Sequence, residues 1–181
     1  MPALTATEIA WSMRCHAQAL HHEWITPNAY LYAWESDLIT VSALGHVHEI
    51  EIKTSRSDLK NDMKKPKHGD GLLVKGTALE TEGATKPKDK RPIRRPNFFS
   101  FALPCAIYRA RRPVVLPPYA GVYTVDEYGR VREERAPVQL HTERISTRQL
   151  FLLARRIHHR YWDQLRRGQH APDTLQLELA G

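Results

Sequence analysis

Within HEIEIKTSRSDLKNDMKK, residues 48–65, Glu51 and Lys53 sit two apart in a run that alternates as a strand does. Ile50 and Ile52 project to one side, and Glu49, Glu51 and Lys53 to the other. Side chains two apart on a strand are about 7 Å apart along the chain. At that spacing Glu51 can ligate a cation while Lys53 stands beside it uncoordinated. Asp37 opens the preceding run, DLITVSA, and a tight turn at Leu44-Gly45 folds one run back on the other, so that residue 37 falls opposite a position near 51–53. Two hard carboxylate ligands, completed by a backbone carbonyl and waters, are what Mg²⁺ or Mn²⁺ prefers. Such an ion activates water and offsets charge on a phosphate under displacement, while Lys53 orients the water or stabilises the transition state. The expected catalytic set is Asp37, Glu51 and Lys53, with Asp37 and Glu51 on the metal. The same alternation also describes a solvent-facing strand whose Glu and Lys pair for no catalytic reason, and both readings stand at this point.

These residues need elements to hold them. TATEIAWSMRCHAQALH, residues 5–21, reads as a helix capped by Thr5 or Thr7, with Glu8 in its first turn and Ile9, Met13 and Ala17 at four-residue spacing. Pro27-Asn28 marks a turn. AYLYAWE (29–35), DLITVSA (37–43) and HVHEIEIKTS (46–55) read as strands, with a kink at Ser36. Ser55 or Ser57 caps the helix DLKNDMKKPKH, which Pro66 bends or ends. FFSFALP (98–104) is a buried strand, RARRPVVLPPYA wanders over the surface, and GVYTVD and GRVREE form strands joined by a turn at Glu127-Tyr128. A final helix opens at Ser146 and stops at Gly168. This order predicts an α/β fold with helices on the faces of a small mixed sheet.

The chain of 181 residues suits a single domain, 1–181, and at 41% apolar residues it can bury an ordinary core. No apolar run is long enough to span a membrane, and the first residues lack the pattern of a secretion signal, so no membrane partner is expected. Cys15 and Cys105 have no metal or disulfide spacing, which fits a reducing cytoplasm. The net charge of +7 favours a polyanionic partner. A basic excursion at about 69–97 carries Lys86, Lys88, Lys90, Arg91, Arg94 and Arg95 just before Phe98 and Phe99, and reads as a flexible phosphate-binding arm. Arg155 and Arg156, on the arginine face of the last helix, are a second expected phosphate contact, as are Lys65, Lys67 and His68 at the end of the helix after Lys53. The histidines show no HxxxH or HExxH spacing and are read as non-ligands.

Asp37 followed by Glu51-Ile52-Lys53 resembles the D…(D/E)xK signature of the PD-(D/E)xK nuclease superfamily. The longer EIEIKTSRSDLKNDMKK is similar to the "E-(I/V)-K-x-S-R-x-D-(F/L)-x-x-D-x-K" block of the MmcB-like DNA-repair endonuclease candidates and related phage-encoded proteins. The resemblance continues through NFFSFALP, PPYAGVYTVDEYG and APVQLH, roughly residues 35–160 apart from the lysine-rich excursion. It implies a three-layer restriction-endonuclease-like core, with Asp37 and Glu51 as metal ligands and Lys53 as the catalytic lysine. Asp58, Asp62 and Lys64 become accessory residues on the following helix. Glu8 is the candidate for the first-helix glutamate that sometimes joins such sites, or simply a first-turn acid favoured by the helix dipole. Glu49 is either a further ligand or a bystander. Ser36 stands where the signature has proline, and Lys65 stands where the related block often has an aromatic residue.

The expectation that follows is a Mg²⁺- or Mn²⁺-dependent DNA endonuclease of repair, recombination or phage DNA processing, in a bacterial or phage-infected cytoplasm. Many relatives of that fold pair to cut two strands, so a homodimer is open, although no segment of this chain encodes such an interface. Two further readings are a non-catalytic nucleic-acid-binding module on the same fold and a basic structural protein with a solvated Glu-x-Lys strand.

Overall fold

The computed structural model describes residues 4–68, 95–110 and 115–168. The described residues fall into two compact units, one ending at Ser146 and the other beginning at Thr147. The first unit is an α/β fold on a six-stranded mixed sheet of order β1-β2-β3-β4-β5-β6. Its strands are β1 (His22–Ala29), β2 (Ser36–Ser42), β3 (Val47–Ile52), β4 (Phe98–Pro104), β5 (Gly121–Val125) and β6 (Val131–Arg135). β3, β4 and β5 run parallel, and β1, β2 and β6 pair antiparallel with their neighbours.

Helix α1 (Ala6–Ala19) starts at a reciprocal cap: Thr5 Oγ1 accepts the Glu8 N–H while Glu8 Oε2 accepts the Thr5 N–H at 2.7 Å. Its buried Ile9 and Met13 pack with Leu38, Ile50, Ile52, Ala102, Tyr123 and Val125, forming one face of the sheet. The opposite face holds Leu59 from α2 (Arg56–Asp62) with Phe99, Phe101, Leu103, Tyr119, Ala120 and Val122. Because successive strand residues alternate sides, Leu38, Ile50 and Ile52 belong to the α1 face and Asp37, Glu49 and Glu51 to the α2 face. Gly45 lies between β2 and β3 at φ +79°, its N–H donating to Ser42 O at 2.8 Å, and the resulting register pairs Leu38 with Ile50. That register sets residue 37 across from residue 51, as the spacing predicts.

The region before β2 differs from expectation. Pro27-Asn28, read as a turn, lies inside β1, and AYLYAWE is not a strand beyond Ala29. β1 is an edge strand, where a proline's missing N–H removes no sheet hydrogen bond from the outer side. The aromatic run thus becomes a loop over residues 30–35. RARRPVVLPPYA also departs from its reading: Tyr119 and Ala120 are buried in the α2-face core. A short helix, α3 (Cys105–Tyr108), follows β4, and a 3₁₀ turn, Pro66–His68, follows α2.

The basic excursion falls largely on residues 69–94, so Lys86, Lys88, Lys90, Arg91 and Arg94 lie outside the described residues. In the second unit, α4 (Thr147–Gly168) carries Arg155 and Arg156, with Phe151, Ile157, Tyr161 and Trp162 exposed. Among the described residues no helix is long and apolar enough to cross a membrane.

Candidate active site

β2 and β3 deliver Asp37 and Glu51 from neighbouring strands, and Lys53 follows β3 by one residue with its backbone N–H held by Ala102 O at 2.9 Å. The Lys53 ammonium lies 2.8 Å from Glu51 Oε2, 3.2 Å from Asp62 Oδ1 and 3.5 Å from Asp37 Oδ2. The Ile52 N–H donates to the same Asp37 oxygen at 2.8 Å, which orients the carboxylate towards the lysine. Asp37 is the solvent-facing member, with its side chain 37% exposed, against 4% for Lys53 and 2% for Glu51. The three expected catalytic residues therefore converge on one point at the mouth of a buried cluster.

The cluster is larger than the motif. Lys67, from the 3₁₀ turn, places its ammonium 2.6 Å from Glu51 Oε1 and 3.5 Å from Glu49 Oε1. Glu49, fully buried, also accepts the Trp34 indole N–H at 2.8 Å. Asp62 ends α2 inside the cluster, paired to Lys53 and Lys65 on Oδ1 and to His68 Nε2 at 2.8 Å on Oδ2. An ionised carboxylate only accepts, so Nε2 carries the hydrogen, and a neutral His68 ring then accepts the Tyr119 O–H at Nδ1, 2.8 Å away.

Among the described residues, four acids thus meet three lysines, and the balance sets their protonation. Burial works to raise the Glu51 carboxyl, but the Lys67 and Lys53 ammoniums outweigh it and hold it below its ordinary value. Burial likewise opposes the ionised Asp62, and the His68 hydrogen bond with Lys67 and the other lysines holds that carboxyl well down. Lys53 is held above its usual value because Glu51, Asp37 and Asp62 outweigh its burial. Glu49 is the exception: burial pushes it up to about 7 despite Lys67. Asp37 is also raised, by burial and then by the nearby Glu51 charge.

Several expected site residues stand elsewhere. Glu8 is exposed and occupied by the α1 cap, on the helix covering the opposite sheet face, so it does not join the cluster. Lys67 and His68, expected on a nucleic-acid surface, are buried among the acids because the turn at Pro66 folds them inward. Lys65 remains exposed while its ammonium reaches Asp62. Asp58 and Lys64 are exposed, Asp58 in the first turn of α2 where its N–H donates to Ser55 Oγ. Arg95 is half-buried, its carbonyl accepting from His141 Nε2. Trp34 and Tyr119 are members that local pattern does not reveal. Trp34 belongs to a run that reads as strand, and Tyr119 to a segment that reads as surface.

Among the described residues, no group of three or more His, Cys, Asp or Glu side chains is placed to hold a metal ion. Asp37 and Glu51 nevertheless already share one cationic centre, the Lys53 ammonium, with both oxygens within 3.5 Å of it. A pair of hard oxygen donors around one positive charge fits the manner in which Mg²⁺ is held by one or two carboxylates, with phosphate oxygens and water supplying the rest.

The molecule is thus an α/β protein with an acid–lysine cluster on one face of a mixed sheet. No protein-family model matches the chain, and no curated protein matches it. Among solved structures it is similar to SPO1766, a protein of unknown function from Silicibacter pomeroyi. The TM-score is 0.62 at 15% identity, over 96% of this chain and 99% of that one, a likeness of fold alone.

Proposed function

We propose that the protein is a Mg²⁺- or Mn²⁺-dependent DNA endonuclease of the PD-(D/E)xK kind, acting in repair, recombination or phage DNA processing within a bacterial or phage-infected cytoplasm. The observation that carries this reading is the meeting of Asp37, Glu51 and Lys53 at the cluster mouth, from two paired strands and in the order of the D…ExK signature. A divalent ion held by Asp37 and Glu51 would supply water activation and charge neutralisation at a phosphodiester. Lys53, held protonated by its three acids, would set its positive charge beside the attacked phosphate, where negative charge develops. Asp62 and Glu51 fix that ammonium in place, so little reorganisation is needed at the moment of reaction. Lys65, Arg95, Arg155 and Arg156 are the described cations assigned to phosphate contacts, which position the backbone without reading sequence. Asp58 and Lys64 are accessory on this reading, and a homodimer would serve to cut both strands.

The test is cleavage of duplex, single-stranded, branched and damaged DNA by the purified chain with Mg²⁺ or Mn²⁺, beside Lys53→Ala and Asp37→Asn. Ion-dependent cleavage lost in both variants supports the reading, and no cleavage of any substrate with either ion sinks it.

A non-catalytic DNA-binding module on the same fold is the second reading. It is favoured by the occupation of both Glu51 oxygens by lysines, Lys53 on one and Lys67 on the other. Calorimetry separates the two, since such a module binds DNA equally well with and without divalent ions.

A further inference from the structure

We propose that Lys67 is an internal cation that closes one side of Glu51 and so limits the acid cluster to a single divalent ion, an inference that rests on the ion-binding reading above. The two ammoniums on Glu51 are not equivalent. Lys53 takes Oε2 and shares its charge with Asp37, the exposed acid, so its side of Glu51 opens to solvent. Lys67 takes Oε1 and shares its charge with Glu49, whose side chain is wholly buried, so its side is closed. The Lys67 ammonium also sits 5.4 Å from the centre of the Phe99 ring, which adds an aromatic face to its two carboxylates.

Glu49 and Glu51 lie two apart on one face of β3, and both are buried. Two such carboxylates require a positive charge between them or one must give up its ionisation. In many hydrolytic sites a second metal ion answers this need. Here the chain supplies it, from a 3₁₀ turn that enters the cluster separately from the Asp37, Glu51 and Lys53 segments. Trp34 completes the enclosure by sharing its indole N–H between both Glu49 oxygens at 2.8 and 3.1 Å, so that each has a partner. Lys67 touches neither substrate nor reacting atom in this scheme; it is a positioning residue, holding Glu51 so that only the side facing Asp37 receives an ion.

Mn²⁺ uptake by the full chain tests this, measured by calorimetry and by electron paramagnetic resonance of free Mn²⁺. Wild type is compared with Lys67→Met and with Lys67→Gln, which keeps hydrogen-bond donors but no charge. The expected result is one ion for wild type, one more for each variant, and loss of the added ion in Lys67→Met combined with Glu49→Gln. Variants that take up no more Mn²⁺ than wild type overturn the proposal. So do variants that stay unfolded with and without Mn²⁺, because an ion should replace the missing ammonium. If wild type binds no ion while Lys67→Met binds one, the role of Lys67 stands and the nuclease reading falls. One ion in wild type and an unchanged count in both variants does the reverse.

Discussion

The Ile52 backbone N–H donates to Asp37 Oδ2 at 2.8 Å across the β2–β3 ladder, between residues 15 apart in sequence. The same ladder that builds the sheet therefore aims the carboxylate at Lys53. An asparagine at 37 keeps an oxygen to accept that N–H and loses only the charge. Asp37→Asn should leave the thermal midpoint within a few degrees of wild type. On the proposed nuclease reading it should also lower ion-dependent cleavage by about 100-fold, as much as outer-shell changes can cost at metal sites. Cleavage rate and thermal melting of the same preparation check both halves.

Trp34, half-buried, donates its indole N–H to Glu49, which is fully buried. Trp34→Phe removes the indole N–H from a carboxylate that has no solvent to turn to. The expected loss is about 1–3 kcal/mol in urea denaturation. Adding Glu49→Gln should give back part of that loss, because contacting residues do not add independently. Additive losses would show that the indole stabilises by packing alone.

On the opposite sheet face, His48 is buried beside Tyr123 and meets Ser100 Oγ at 2.8 Å through Nε2. Burial, with His22 and His16 nearby, depresses its pKa from 6.5 to about 3. The folded state thus keeps the ring neutral while the unfolded chain takes up a proton below about 6.5. The stability this contributes is complete above 6.5 and is lost as pH falls towards 3. At pH 5 the loss is about 2 kcal/mol, from roughly 1.5 pH units at 1.36 kcal/mol each. Urea midpoints between pH 7 and pH 5 should fall in wild type and fall less in His48→Gln. Parallel slopes would assign the acid sensitivity to other groups.

Gly121 opens β5 where two backbones approach closely. A Cβ there would collide with Ser100 Oγ and stand 2.9 Å from the backbone nitrogen of Pro137. The serine cannot yield without disturbing its contact to His48, and the close atom of Pro137 is backbone rather than the end of a flexible side chain. Gly121→Ala should cost about 1–3 kcal/mol or more. A Cβ added at Gly168 would meet nothing within 4 Å, so that position should accept alanine within about 0.5 kcal/mol. Equal denaturation midpoints for the two variants would contradict this.

Local pattern carried much of the fold. The capped first helix, the β2 and β3 strands with Gly45 between them, β4 and the β5–β6 hairpin follow from alternation and turn chemistry that short segments contain. Residues 29–35 misled because aromatic and β-forming side chains suit a strand and a packed loop equally. Pro27 misled because a proline is compatible with a strand only at a sheet edge, and edge position is not a local property.

The candidate site divides in the same way. Alternation along two runs and the short turn between them are enough to put Asp37, Glu51 and Lys53 on one face of two paired strands. The company those residues keep is a matter of packing. Lys67 and His68 look like solvated cations along the chain, and Trp34 and Tyr119 look like ordinary aromatics. Burying two carboxylates beside Phe99 creates a demand for counter-charge and donors, and whichever side chains the packed loops bring there must meet it.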